Sequence, residues 1–147
     1  MLRRVAVVIV LSLPAAAAAS ATDEDPAYVR ANARLARTVP HYPRARLLVE
    51  EAIGGEIGPV PFEAVSRIAR LARPQTQRAV IRFYSSKLGS AWRQRGTACL
   101  VSRRRLVVAL VNTRRRRLGL LVDSRGSTRC AHLTGMIGNL LDVGYPD

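Results

Sequence analysis

Six consecutive apolar residues, Leu106-Val107-Val108-Ala109-Leu110-Val111, lie between Arg105 and Asn112. The run is short, rich in branched side chains and free of polar alternation, which predicts a strand buried on both faces. A sheet containing such a strand needs a covering layer on each side.

The neighbouring runs, Cys99 to Arg103 and Leu118 to Asp123, are separated from it by arginines. The three together read as an antiparallel meander. One cover is a helix from Thr76 to about Ser90: Thr76 follows Pro74 as a cap, Val80, Ile81, Tyr84 and Leu88 recur at helical spacing, and Gly89 lies near the end. Trp92 can fold back on the same face. The second cover is the tail, where Leu133, Met136, Ile137, Leu140 and Leu141 follow the i, i+3, i+4, i+7, i+8 pattern. Gly135 and Gly138 each weaken that helix by about 1 kcal/mol relative to alanine, so it forms only when docked.

Upstream, Asp25-Pro26 is an N-cap followed by proline at the first helical position, predicting a helix over about 26–37. Pro40 and Pro43, around His41 and Tyr42, end it. Arg44 to Glu50 predicts a strand, and Gly54, Gly55, Gly58, Pro59 and Pro61 predict a loop. Residues 62–73 fit a helical face and an alternating strand, and are assigned to a strand pairing back on the first because the glycine-rich loop suits a hairpin. The expected architecture is α+β: one small domain over 22–147, with an antiparallel sheet (N-terminal hairpin plus three-strand meander) packed with a central helix and a C-terminal helix.

Residues 1–21 read as a signal peptide rather than part of the fold. Arg3 and Arg4 form a basic start, Val5 to Leu13 is apolar, and Ala19-Ser20-Ala21 is a small-x-small cleavage signal. The expectation is a secreted or extracytoplasmic protein cleaved near Ala21. An N-terminal membrane anchor is the alternative, but its apolar length falls short of the roughly 20 residues that span a bilayer.

The chain carries a formal charge of +14, and 23 of its 24 basic residues are arginine. Removing Arg3 and Arg4 leaves +12, of which residues 93–129 hold +10. Arg103, Arg104 and Arg105 fall at the first turn of the meander, with Arg125 and Arg129 expected at the same end. Arg114, Arg115, Arg116 and Arg117 form the second turn at the opposite end, where Arg93 and Arg95 are also expected. Two arginine rims of this kind can grip phosphate or carboxylate through paired hydrogen bonds. The partners they suggest are an anionic wall polymer, anionic lipid head groups or an acidic protein. Arginine also replaces lysine wherever coding sequence is GC-rich, and turn charges keep strand ends from associating. Nucleic acid is disfavoured, because the few aromatic residues are badly placed for stacking and no nucleic-acid motif occurs.

Cys99 and Cys130 are the only cysteines. A disulfide between them closes a loop of about thirty residues, worth roughly 3–4 kcal/mol in the chain-entropy model, and requires the chain after Asp123 to turn back along the sheet. No catalytic residue, cofactor or metal site is assigned. His41 and His132 read as structural or surface residues, Glu50 and Glu51 point to opposite faces of a strand, and no hydrolase, phosphate-loop or metalloprotease motif is present. The expected role is a non-enzymatic exported module that binds an anionic envelope component. An envelope protein-interaction module with incidental charge and a small hydrolase-like enzyme are the alternatives.

Val39-Pro40-His41-Tyr42-Pro43, then Val80-Ile81-Arg82-Phe83-Tyr84 with Leu88 and Trp92, then short strands ending Leu121-Val122-Asp123, resemble small exported proteins of high-GC actinobacteria. Many of those are lipoproteins, with a Pro-x-Tyr-Pro start and a Phe-Tyr…Leu…Gly-Trp helix end. The resemblance runs from about Val39 to Asp123. This chain departs from the pattern at Arg44 and Ala91, which stand where glycines are usual, and lacks the lipid-attachment cysteine. The resemblance implies a strand for 62–73 and carries no activity.

Overall fold

A computed structural model describes residues 25–143; the signal-peptide reading of residues 1–21 lies outside them. Helix α1 (Pro26–Thr38) is followed by strands β1 (Arg46–Ile57) and β2 (Val60–Arg70), helix α2 (Gln77–Leu88), and four strands, β3 (Arg93–Arg95), β4 (Cys99–Ser102), β5 (Arg105–Asn112) and β6 (Arg117–Asp123). Helix α3 (Cys130–Val143) closes the described chain. The strands form one antiparallel sheet in the order β1-β2-β6-β5-β4-β3. The α+β class, the hairpin and the meander are as the sequence predicts.

The apolar run becomes β5, and Leu106, Val107, Val108 and Ala109 are all completely buried. Val107 and Ala109 face a core with α1, α2 and Trp92, while Leu106 and Val108 face one with α3. Three layers result, two helices over one face and one over the other. The tail helix docks through Leu133, Ile137 and Leu141. Its close approach to β6 is made possible by Gly119, where a Cβ would stand 2.5 Å from Ile137 Cγ1 and 3.2 Å from Leu141 Cδ1.

Residues 62–73 do contain the expected strand, with Val60–Arg70 paired antiparallel against β1 and one register shift between Leu47 and Val49. The expected loop from Gly54 to Pro61 shrinks to a turn at Gly58 and Pro59, because β1 continues through the glycines to Ile57. Across the hairpin these glycines lie opposite Glu63 and Phe62, and a Cβ on Gly55 would stand 3.1 Å from the Phe62 ring, whereas one on Gly54 would meet only the movable end of the Glu63 side chain. Gly58 turns the chain with φ +59°.

The meander has a fourth strand that the sequence reading lacks. Arg93-Gln94-Arg95 pairs with Val101 to Cys99 and is exposed throughout, so no apolar pattern announces it. Strand β4 covers only the first half of β5. Beyond it, the Gln77 side chain acts as a substitute partner: its amide donates to Ala109 O at 2.8 Å and Thr97 O at 2.9 Å, and its oxygen accepts from Val111 N at 2.9 Å. This clamp fixes the start of α2 against the β5 edge.

Disulfide Cys99–Cys130 joins β4 to the first residue of α3. The return after Asp123 that it requires is present, and is held by Ser127 N donating to Arg104 O at 3.1 Å. Because β4 begins opposite Val108, in the middle of β5, Cys99 lies within the sheet rather than at its far end.

Gly119→Ala should lower stability by about 1–3 kcal/mol, since the added methyl must push α3 off β6. Thermal denaturation of the two proteins measures this, and an unchanged midpoint would contradict the packing.

Candidate functional site

Charge is segregated across the sheet. Residues 64–122 contain fifteen basic residues and no Asp or Glu. Four of the seven carboxylates in 25–143, Glu50, Glu51, Glu56 and Glu63, lie on β1 and β2. The strand order puts β1 at one sheet edge and β3 at the other, so an acidic edge opposes a basic one.

At the β3 edge, two depressions adjoin. The larger, about 460 Å³, is lined by Arg78, Ile81, Arg82, Ser85, Ser86 and Gln94. Its neighbour, about 390 Å³, is lined by Ala91, Arg93, Gln94, Arg95, Val101, Ser102 and Arg103. Gln94 belongs to both walls. Arg78 and Arg82 are one helical turn apart on α2, and all five arginines are exposed. Arg93 and Arg95 are therefore not beside the second turn, as the sequence reading expects. They belong to β3, and Arg95 donates to Ser127 O at 2.7 Å, at the end of the sheet where Arg103 turns. Arg78 and Arg82 are missing from that reading because they sit on the polar side of an ordinary amphipathic helix.

The nine arginines singled out from sequence fall into three classes. Arg103, Arg104, Arg114, Arg115 and Arg125 are exposed. Arg105, Arg116 and Arg129 are half-buried. Arg117 is buried at 6 % exposure in the first position of β6, so it cannot serve as an open rim residue. The first turn and the segment after β6 do share one end, as the Arg104–Ser127 contact requires.

Two of these guanidinium groups are stacked on aromatic rings. Arg105 lies 4.9 Å from the Trp92 ring centre and donates to Ser102 Oγ at 3.0 Å. Arg125 lies 4.6 Å from the Tyr28 ring and donates to Asp25 Oδ2 at 2.9 Å. Stacking restricts a long side chain and leaves its in-plane N–H groups pointing outward.

Beneath this end lies a buried polar cluster that fastens α1 to the sheet. Asp123 is completely buried and accepts hydrogen bonds from the Tyr28 hydroxyl and from Arg125 N at 2.9 Å, with Arg129 Nη1 at 3.6 Å. Asn32 Oδ1 accepts from Ser124 N at 2.7 Å. Burial pushes the Asp123 carboxyl above its ordinary 3.8, and the Tyr28 and Arg125 hydrogen bonds and the two arginine charges only partly offset it. Burial, then the bond to Asp123, pushes the Tyr28 phenol above its ordinary 10. Asp25 moves the other way: exposed at the surface, it is held below 3.8 by Arg125 and by the Tyr28 N–H it caps. With no solvent access, Asp123 is placed to hold α1, not to meet a substrate.

His41 and His132 are both exposed. Among the described residues, no group of three His, Cys, Asp or Glu side chains converges as metal ligands. Glu50 and Glu51 face opposite sides, as expected: Glu50 pairs with Arg67, while Glu51 lies opposite Ser66. No helix among the described residues is long and apolar enough to cross a membrane.

No protein-family model, curated protein or solved structure matches the chain.

The Asp123 shift has a sign that can be tested. Between pH 3.8 and its raised folded value, the native state keeps a proton that the unfolded chain releases, so stability falls as pH rises. Asp123→Asn cannot titrate. Its stability relative to the parent should therefore improve as pH rises from about 3 to 7, measured by urea unfolding at each pH. The opposite trend in Asp25 is common to both proteins and cancels in that difference. A relative stability that worsens with pH would contradict the burial argument.

Proposed function

We propose that this chain is an exported, non-enzymatic module that binds a flexible anionic polymer of the cell envelope along its β3 edge. The observation that carries the reading is the pair of adjoining depressions lined by Arg78, Arg82, Arg93, Arg95 and Arg103, in a stretch of chain without a carboxylate. Guanidinium groups on both sides of one sheet edge, Arg78 and Arg82 from α2 and Arg93 and Arg95 on the α3 side, suit the repeating phosphate or carboxylate groups of a flexible chain that crosses the edge at Gln94, each held by paired N–H donors.

A polymer is favoured over a membrane or an acidic protein because the basic surface has no apolar centre. The large apolar residues that are exposed among those described are Leu47, Val60 and Val143. Leu47 and Val60 sit at opposite ends of the β1–β2 hairpin and Val143 ends α3, so none lies among the β3-edge arginines. Membrane-surface binding combines basic residues with an inserted apolar face, and protein interfaces carry an apolar core inside a polar rim.

Backbone geometry argues that the arginines are more than a compositional accident. Arg44, Arg103 and Arg116 occupy left-handed turn positions, with φ of 60°, 57° and 49°, and of these Arg103 belongs to the β3 edge. Glycine takes that conformation freely, whereas a side chain there costs about 1 kcal/mol. GC-rich coding supplies glycine as readily as arginine, so codon bias does not explain arginine at these sites. Retaining a charge at a strained position is the pattern expected where binding is selected over stability.

Replacing Arg78, Arg82, Arg93, Arg95 and Arg103 together by glutamine should abolish retention on poly(glycerol phosphate). The parent's affinity should fall on the order of 100-fold between about 50 and 200 mM salt if five ion pairs form. Binding unaffected by both salt and substitution would remove the reading. Arg103→Gly alone should raise stability by about 1 kcal/mol while weakening polymer binding, as compared by denaturation and by retention on the same polymer.

A further inference from the structure

A different depression, about 380 Å³, lies between α1 and the end of the sheet where β5 starts and β6 finishes. One wall is a single face of α1, carrying Ala31, Arg34, Leu35 and Thr38 at i, i+3, i+4 and i+7. The other wall brings Arg105, Ser124 and Arg125. We propose that this depression is a seat for one phosphate ester attached to a short aliphatic group, such as a glycerol phosphate unit.

Three features argue for a built site rather than a chance concavity. Two of its three arginines are held in place by aromatic stacking, Arg105 on Trp92 and Arg125 on Tyr28, so little rotamer freedom remains to be lost on binding. The walls combine those cations with Ala31, the Leu35 side chain and the Thr38 methyl, which suits a ligand that is charged at one end and aliphatic at the other. An acidic side chain already uses one of the arginines: Asp25 accepts from Arg125 at 2.9 Å, as an anionic ligand would. The other two arginines, Arg34 on the α1 wall and Arg105 on the sheet wall, have no carboxylate partner among the described residues. The seat deepens the polymer reading by naming where one unit or chain end is gripped, and rests on that reading only for the source of the ligand.

Trp92 is the single tryptophan, so its fluorescence reports directly on Arg105. Titration with glycerol 3-phosphate should change that emission saturably, with calorimetry run alongside, whereas glycerol should do nothing. By calorimetry, Arg34→Gln and Arg105→Gln should each weaken binding at least tenfold, and Arg114→Gln should leave it unchanged. Asp25→Asn keeps a good N-cap and should bind more tightly by removing the competing carboxylate. Parallel titrations with short-chain phosphatidylglycerol and with poly(glycerol phosphate) distinguish a lipid head group from a polymer as the source. No saturable heat or emission change, or equal affinity in all the arginine variants, would overturn the seat. If polymer retention persists in that case, the β3-edge reading stands alone; if the seat binds glycerol 3-phosphate but the polymer is not retained, the polymer reading falls instead.

Discussion

Burial of β5 on both faces is the constraint on which the rest of this structure depends. Leu106, Val107, Val108 and Ala109 have no exposed surface, so helices must be held over both sides of a sheet that is antiparallel throughout. Each helix is attached by a distinct device. Gln77 clips α2 to the open half of the β5 edge, and Gly119 with the Cys99–Cys130 bridge seats α3. Helix α1 is fastened at both ends by ionisable groups. These attachments also place the basic residues: the α2 clip sets Arg78 and Arg82 beside β3, and α1 forms one wall of the cationic depression above β5.

The two fastenings of α1 are chemically opposite. At its C-terminal end the Arg67 guanidinium donates to the carbonyls of Ala36 at 2.5 Å and Val39 at 2.6 Å, and pairs with Glu50 across the hairpin. A cation there also suits the negative end of the helix dipole. At the N-terminal end, the buried Asp123 carboxylate takes the Tyr28 hydroxyl while Asp25 caps the first turn. Removing either buried group, Arg67 or Asp123, strands polar partners in a dry site, which costs more than the pair itself contributes. Arginine thus has two duties in this protein. Arg67 and Arg117 are buried in the sheet, whereas the exposed groups of the β3 edge carry the proposed binding.

Much of the fold is legible in the sequence because it is written in apolar periodicity. The unbroken run of β5, the helical spacing of Val80, Ile81 and Tyr84, and the tail pattern of Leu133, Ile137 and Leu141 each survive into the structure. What escapes is written in other terms. Strand β3 is Arg-Gln-Arg, with no buried side chain to mark it. The glycines of β1 look like a loop until their pairing with Glu63 and Phe62 across the hairpin is seen. For the charged surface, the sequence shows where arginine is abundant but not which arginines meet. Only strand order brings Arg78 and Arg82 of α2 to the same edge as Arg93, Arg95 and Arg103, and only burial separates Arg117 from its neighbours at the turn.

The central claim is that a polyanion lies along the β3 edge. The most direct measurement is two-dimensional NMR of the ¹⁵N-labelled protein during titration with poly(glycerol phosphate), following backbone amides and arginine side-chain resonances. The account predicts saturable shifts clustered on the first two turns of α2, on Arg93 to Arg95 and at Arg103, with the acidic β1 strand unmoved. Shifts centred on Arg114 and Arg115, or spread evenly over the surface without saturation, would contradict it.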